Sequence, residues 1–278
     1  MAAQTPMPPF RLNIEECLRF LARDPAWPCK LGLGVLWSLL GFTIIGAFFV
    51  QGYMLLTMER VARAEPLPLP EWNDYGGLLR RGWRGFLLNV IYSLPVILLS
   101  ILIGILLIGF ITALISTITN GGGSSPFQSP AMFAPIALLI AIPFIMLAVL
   151  YGFLLSLFLP ALLARLVLSD NLVAALDTGA AFAFIRRNLG QYAVAVALNF
   201  GAGLLLGGLS FGVNFTPRGG SGRQFWAEPL FLIAIVATLL LIAVRTIAGF
   251  FVQLCFSHLL GQLCWYDRQV TARRADGD

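Results

Sequence analysis

Apolar positions in this chain form long unbroken runs. Between them lie short segments in which apolar residues recur at helical spacing among charges. No charge falls between Lys30 and Glu59, a run of 28 residues, and none between Arg84 and Arg165, a run of 80. Such runs exceed the roughly 20 residues a helix needs to cross a bilayer. Within the second run, the stretch from Asn120 through three glycines and two serines to Pro126, with Pro130 after it, marks a loop. This predicts one span near Pro95–Ile118 and another near Ala134–Leu159. A further apolar stretch covers Tyr192–Phe211, and the last runs from Pro229 to about Leu263, interrupted by Arg245.

Three segments have a helical stripe rather than a continuous apolar surface. Residues 10–23 predict a short amphipathic helix with Ile14, Leu18 and Leu21 on one face and Glu15, Glu16, Arg19 and Arg23 on the other. Asn13 followed by Glu16 fits its N-terminal cap, and Asp24-Pro25 ends it. After Leu67-Pro68-Leu69-Pro70, residues Trp72, Tyr75, Leu79, Trp83 and Phe86 keep helical spacing, with Asp74, Arg81 and Arg84 opposite. After Asp170-Asn171, Leu172–Leu189 repeats this more weakly. A span, a basic arm, an interfacial helix and a span thus occur twice, which suggests an internal duplication.

Composition narrows the class. Hydrophobic residues make up 59% of the 278 positions and charged residues 11%, against roughly 45–50% and 25% in globular proteins. Mean hydropathy is +0.87. A water-soluble surface needs more charge than this, which excludes a soluble enzyme, a disordered chain and a nucleic-acid-binding domain. The fold class expected is all-α: a polytopic helical membrane bundle with a short re-entrant or broken N-terminal helical pair, four longer spans and interfacial helices. No signal-peptide h-region is visible in residues 1–30, so the N-terminus reads as retained.

The net charge of +5 comes from 17 arginines and the single Lys30 against 13 acidic residues. Basic residues at span ends set orientation and meet anionic lipid, a better reading here than nucleic acid. If all five apolar stretches cross once, basic residues divide 6 against 11, with the basic N-terminus on the poorer side. If residues 31–58 enter and return on one side, the division is 15 against 2. The second topology obeys the positive-inside rule far better and places both termini in the cytoplasm. Its two helices would each reach only about 21 Å, short of a ~30 Å hydrocarbon core, with a turn near Gly41–Gly46.

The resulting layout is one integral membrane domain over residues 1–278: an interfacial segment (1–30), a short helical pair or single span (31–58), a basic arm and interfacial helix (59–94), two spans (95–165), a second interfacial helix (166–191), two spans (192–266) and a cytoplasmic tail (267–278). The location expected is the prokaryotic inner membrane.

Asp24-Pro25-Ala26-Trp27-Pro28-Cys29-Lys30-Leu31-Gly32, then Gly52-Tyr53, Arg60 and Leu69-Pro70-Glu71-Trp72-Asn73-Asp74 form a pattern. Tyr92 with Pro95, and Asp177, Arg187 and Tyr192, extend it. In these residues the chain resembles domain of unknown function family 4013, uncharacterised prokaryotic polytopic membrane proteins. The resemblance covers most of the chain, and Leu69–Trp72 is its most specific part. The proline expected midway through residues 31–58 is absent; Gly41 and Gly46 stand in its place. The resemblance implies an α-helical bundle and carries no activity, cofactor or site.

Few residues invite chemistry. Gly208-Leu209-Ser210-Phe211-Gly212 matches Gly-x-Ser-x-Gly, and Ser210 with His258 would suit an intramembrane serine hydrolase. The same stretch reads more simply as packing faces, Gly203 with Gly207 and Gly208 with Gly212. Arg245 is the one charge inside an apolar stretch; with Gln253, His258 and Gln262 it would line a polar cavity, or it would snorkel to the interface. Leu69, Pro70, Glu71, Trp72 and Asp74 read either as a cradle seating the interfacial helix or as a docking motif, with Glu71 and Asp74 facing Arg80, Arg81 or Arg84. Four cysteines without close spacing and one histidine predict neither metal nor cofactor.

These features favour a non-catalytic membrane protein, a scaffold or accessory subunit of a larger complex, with lipids and other membrane subunits as partners and no nucleic acid. A small-molecule or lipid permease is the alternative, and the hydrolase comes last.

Overall fold

The computed structural model describes residues 10–66, 69–119, 133–211 and 229–275. Among these there is no β-strand. The helices are α1 (Ile14–Arg19), α2 (Trp27–Leu39), α3 (Ile44–Ala62), α4 (Tyr75–Thr119), α5 (Phe133–Ser169), α6 (Leu172–Ala175), α7 (Thr178–Arg187), α8 (Leu189–Phe211) and α9 (Pro229–Ala275). The 120–130 loop lies outside the described residues. Five helices, α3, α4, α5, α8 and α9, are long and apolar enough to cross a membrane. The chain is an all-α polytopic membrane bundle.

Side-chain oxygens start several of these helices where the pattern changes. Asn13 accepts from the Glu16 N–H, Thr43 from Gly46, Asn171 from Val173 and Asp177 from Ala180. Each satisfies a donor that the first turn leaves free. The C-terminus of α3 closes as a Schellman turn, with Ala64 N–H on the Val61 carbonyl and Glu65 N–H on that of Arg60. Ala64 takes a φ of 56° to do this, a conformation in which glycine carries no penalty.

Residues 31–58 form a hairpin. Helix α2, about 20 Å long, and α3, about 28 Å long, are joined by a 3-10 turn at Leu40–Phe42. Lys30 near the start of α2 and Arg60 near the end of α3 both donate to the Leu69 carbonyl, at 3.2 Å each. The hairpin therefore returns to the end it left, and the turn falls just before Gly46, as the glycines suggested.

The residues group into two compact units, Met1–Phe86 with Ala161–Asp278, and Leu87–Pro160. In the first, α2, α3 and α8 pack along α9. Phe49, Tyr53, Met54, Leu78, Phe250 and Leu254 are central to the core. Helices α3 and α4 cross with their backbones in contact: a methyl on Gly52 would overlap the Leu78 carbonyl, and one on Gly82 the Phe48 carbonyl. Only glycine at both positions permits that approach. Arg268 donates to the carbonyls of Ala62 and Val167, near the ends of α3 and α5, where cations are favoured.

In the second unit the Tyr151 hydroxyl donates to the Tyr92 carbonyl at 2.8 Å, and Tyr92 meets Phe158 edge-on. Ala141 is buried there.

Three expectations change. The interfacial helix expected after residue 70 is not separate but the first turns of the 45-residue α4, because nothing between Tyr75 and Pro95 breaks it. Its Tyr75, Leu79 and Trp83 stripe is exposed, and the Leu78–Gly82 side is the packed one. On α1, Cys17 is buried, and Phe20 and Leu21 just beyond it, while Ile14 and Leu18 are exposed. The two halves of the suggested duplication also differ, since α6 and α7 are distinct short helices before α8.

Candidate functional site

The Leu69–Asp74 segment is an irregular strap between α3 and α4, with a turn at Trp72 and Asn73. Leu69, Pro70 and Trp72 are buried, whereas Glu71 and Asp74 are exposed. Tyr53 stacks on Trp72 with centroids 4.2 Å apart and planes 8° from parallel. Its hydroxyl donates to the Pro70 carbonyl at 3.1 Å, and the Trp72 indole N–H donates to the Lys30 carbonyl at 3.0 Å. The Lys30 ammonium meets Asp24 at 2.6 Å, with both side chains largely buried. Burial pushes the Asp24 carboxyl up, but the Lys30 hydrogen bond, the Ala26 N–H and the Lys30 charge outweigh it and hold it below the usual carboxylate range. The strap thus binds the start of α2 and helix α3 through the Leu69 and Pro70 carbonyls and the Trp72 indole.

Three of the five residues read as a docking motif are consumed inside the fold. The expected pairing of Glu71 and Asp74 with Arg80, Arg81 or Arg84 is not found. Asp74 caps α4 by accepting from the Gly77 N–H, and Glu71 accepts from Asn73. Arg81 pairs with Glu59 and Arg84 with Asp170.

Beyond the strap, a cavity of about 420 Å³ opens between α1, the end of α3 and α9. Its walls include Arg11, Glu16, Glu65, His258, Gln262 and Trp265. The Gln262 amide accepts from the Asn13 N–H at 2.9 Å, donates to the Asn13 carbonyl at 3.2 Å and contacts His258 Nδ1 at 3.2 Å. His258 is 4% exposed and stacks on Phe20 at 4.5 Å. Helical spacing of His258 and Gln262 was legible in the sequence; their meeting with Asn13, about 250 positions away, was not.

The wider cavity expected from the sequence is not assembled. Arg245 and Gln253 lie exposed on α9 and do not line it. Thirteen residues separate Arg245 from His258, which turns the second about 220° away from the first. No described atom lies within 4 Å of where a methyl group on Gly203, Gly207 or Gly208 would sit, so the two expected packing faces meet nothing within the described chain. Gly212 lies outside the described residues, as does the Ser210 side chain. Helix α8 continues through Phe211, without the strand-to-helix turn that exposes a hydrolase serine. Ser210 is also about 28 Å along α8 from Gln191, which accepts from the Leu12 N–H beside the cavity. Ser210 and His258 are not brought together. Among the described residues no group of three His, Cys, Asp or Glu side chains could hold a metal.

A family model described as protein of unknown function (DUF4013) matches residues 35–215, well over half of the chain. The chain belongs to this family. The matched region begins within α2 and takes in the hairpin, the strap and α8. No curated protein and no solved structure matches the chain.

Proposed function

We propose that this DUF4013 protein is a non-catalytic scaffold or accessory subunit of a larger membrane complex. The uncovered glycines of α8 carry the reading. Gly203 with Gly207 on one side of the helix, and Gly201 with Gly208 roughly on the opposite side, leave room for close backbone approach, with no described atom of the chain against them. Leu204 and Leu205 beside them are each 75% exposed. Small residues of this kind let a second membrane helix pack tightly. The buried polar groups of the strap, by contrast, are occupied in holding the fold.

The test is purification in mild detergent from native membranes, with mass spectrometry of what accompanies the protein. A stoichiometric membrane partner lost on Gly203→Leu with Gly207→Leu is expected. A monodisperse monomer without a partner, unaffected by the substitutions, refutes the proposal. The permease alternative draws on the polar cavity and the hairpin, and predicts instead solute flux into proteoliposomes of the purified chain alone.

The same reading places the protein in a prokaryotic inner membrane with both termini cytoplasmic, supported by 15 basic residues against 2 on the hairpin topology. Cysteines introduced at positions 124 and 221 should react with an external, membrane-impermeant reagent; protection of both reverses the orientation.

A further inference from the structure

We propose that the cavity between α1, the end of α3 and α9 binds the phosphate of a phosphodiester head group, the singly charged group carried by membrane phospholipids. The first ground is a donor without an acceptor. Because Gln262 Oε1 accepts from the Asn13 N–H, its Nε2 is the donating atom, and its two hydrogens go to the Asn13 carbonyl and His258 Nδ1. Nδ1 therefore accepts, and the neutral ring carries its proton on Nε2. That N–H has no partner among the described residues, although His258 is 4% exposed and lines the cavity. A ligand oxygen in the cavity would accept it. Stacking on Phe20 holds the ring in place.

Charge sets the valence of the ligand. Glu16 is paired with Arg23 at 2.8 Å and Glu65 with Arg60 at 3.5 Å. Arg11 has no carboxylate partner among the described residues and stands exposed at the cavity wall. One guanidinium is left uncompensated, which matches a phosphodiester monoanion.

Depth and surroundings indicate an amphiphile. His258 is about 44 Å along α9 from Pro229, beyond a ~30 Å hydrocarbon core and at head-group level. Trp265, also in the cavity wall, is the kind of side chain that settles there. On the other side of α1, Ile14 and Leu18 line a separate apolar crevice of about 160 Å³ with Leu198, Phe251 and Phe256, a surface suited to an acyl chain.

The test titrates the full-length protein in neutral detergent with short-chain phosphatidylglycerol, with glycerophosphoglycerol (the same phosphodiester without chains), and with the matching diacylglycerol. Saturable binding of the phospholipid, weakened about tenfold by Arg11→Gln, is expected for loss of a charge-assisted contact. His258→Asn should weaken it comparably, since asparagine keeps an acceptor for Gln262 and lacks the Nε2 donor. Arg11 is on the exposed rim, so that variant decides the matter even if His258→Asn unfolds. Equal, Arg11-dependent binding of glycerophosphoglycerol upholds the site and assigns it to a soluble phosphodiester. No saturable binding, binding indifferent to Arg11→Gln, or equal binding of the phosphate-free diacylglycerol overturns the proposal.

Discussion

Helices α3 and α4 are both long and apolar enough to span a bilayer, yet their surroundings are opposite. In α3, the less apolar of the two, 44% of the spanning stretch is buried within the protein; in α4 none of it is. The buried helix carries Gly46, Gly52, Tyr53 and Thr57, small or hydrogen-bonding residues that fit against neighbours. The bare one carries a run of isoleucines and leucines suited to lipid. In a bilayer apolarity does not drive helices together, because lipid is as apolar as leucine; close packing and polar contacts do. The contrast continues within α4 itself, between Gly82, locked against α3, and Gly104, which has nothing within 4 Å.

The largest effect should come from the polar lock beneath α3. Asp24→Ala leaves the largely buried Lys30 without its partner and should destabilise the protein by about 3–5 kcal/mol, whereas Arg19→Gln, breaking an exposed pair with Glu15, should cost no more than about 1 kcal/mol. Thermal melting in detergent separates them, and equal losses would show that the lock is not tight.

Next in size is the glycine contrast. Gly82→Val meets backbone that cannot move aside and should cost about 1–3 kcal/mol or more, while Gly104→Val should stay within about 0.5–1 kcal/mol. A tolerated Gly82→Val would break the distinction between the two parts of α4.

Acid should sharpen the comparison. Asp24 titrates below its unfolded value, so its stabilisation is complete above the ordinary carboxylate pKa of about 4 and is lost as pH falls through the lower folded value. The melting temperature of the parent chain should drop there, and Asp24→Asn should remove that part of the acid dependence. The smallest expected change is a gain: Ala64→Gly relieves the left-handed backbone after α3 and should add up to about 1 kcal/mol, read as a higher melting temperature.

Much of the architecture was legible because lipid imposes simple demands. A charge-free run of 80 residues broken by glycine, serine and proline has few outcomes other than two membrane helices. Asn13, Asn171 and Asp177 mark helix starts through local hydrogen bonding. The placement of arginines points to the returning hairpin, whose ends meet at Leu69. The Leu69–Trp72 segment stands out as organised, but whether it faces a partner or the core depends on Tyr53 and Lys30 arriving from other helices. The cavity was half legible: His258 and Gln262 sit one helical turn apart, whereas Arg245 and Gln253 share with them only a proximity in sequence that helical rotation undoes.

From its amino acids alone, this protein's medium, its all-helical class and several helix starts were determined, because burying polar backbone in hydrocarbon admits almost nothing but helices. Tertiary structure alone decided which faces meet. Gly52 and Gly82 touch across α3 and α4, Asn13 reaches Gln262, and the glycines of α8 stay uncovered. Such pairings depend on approach distances between segments remote in the chain and leave no periodic trace within either one.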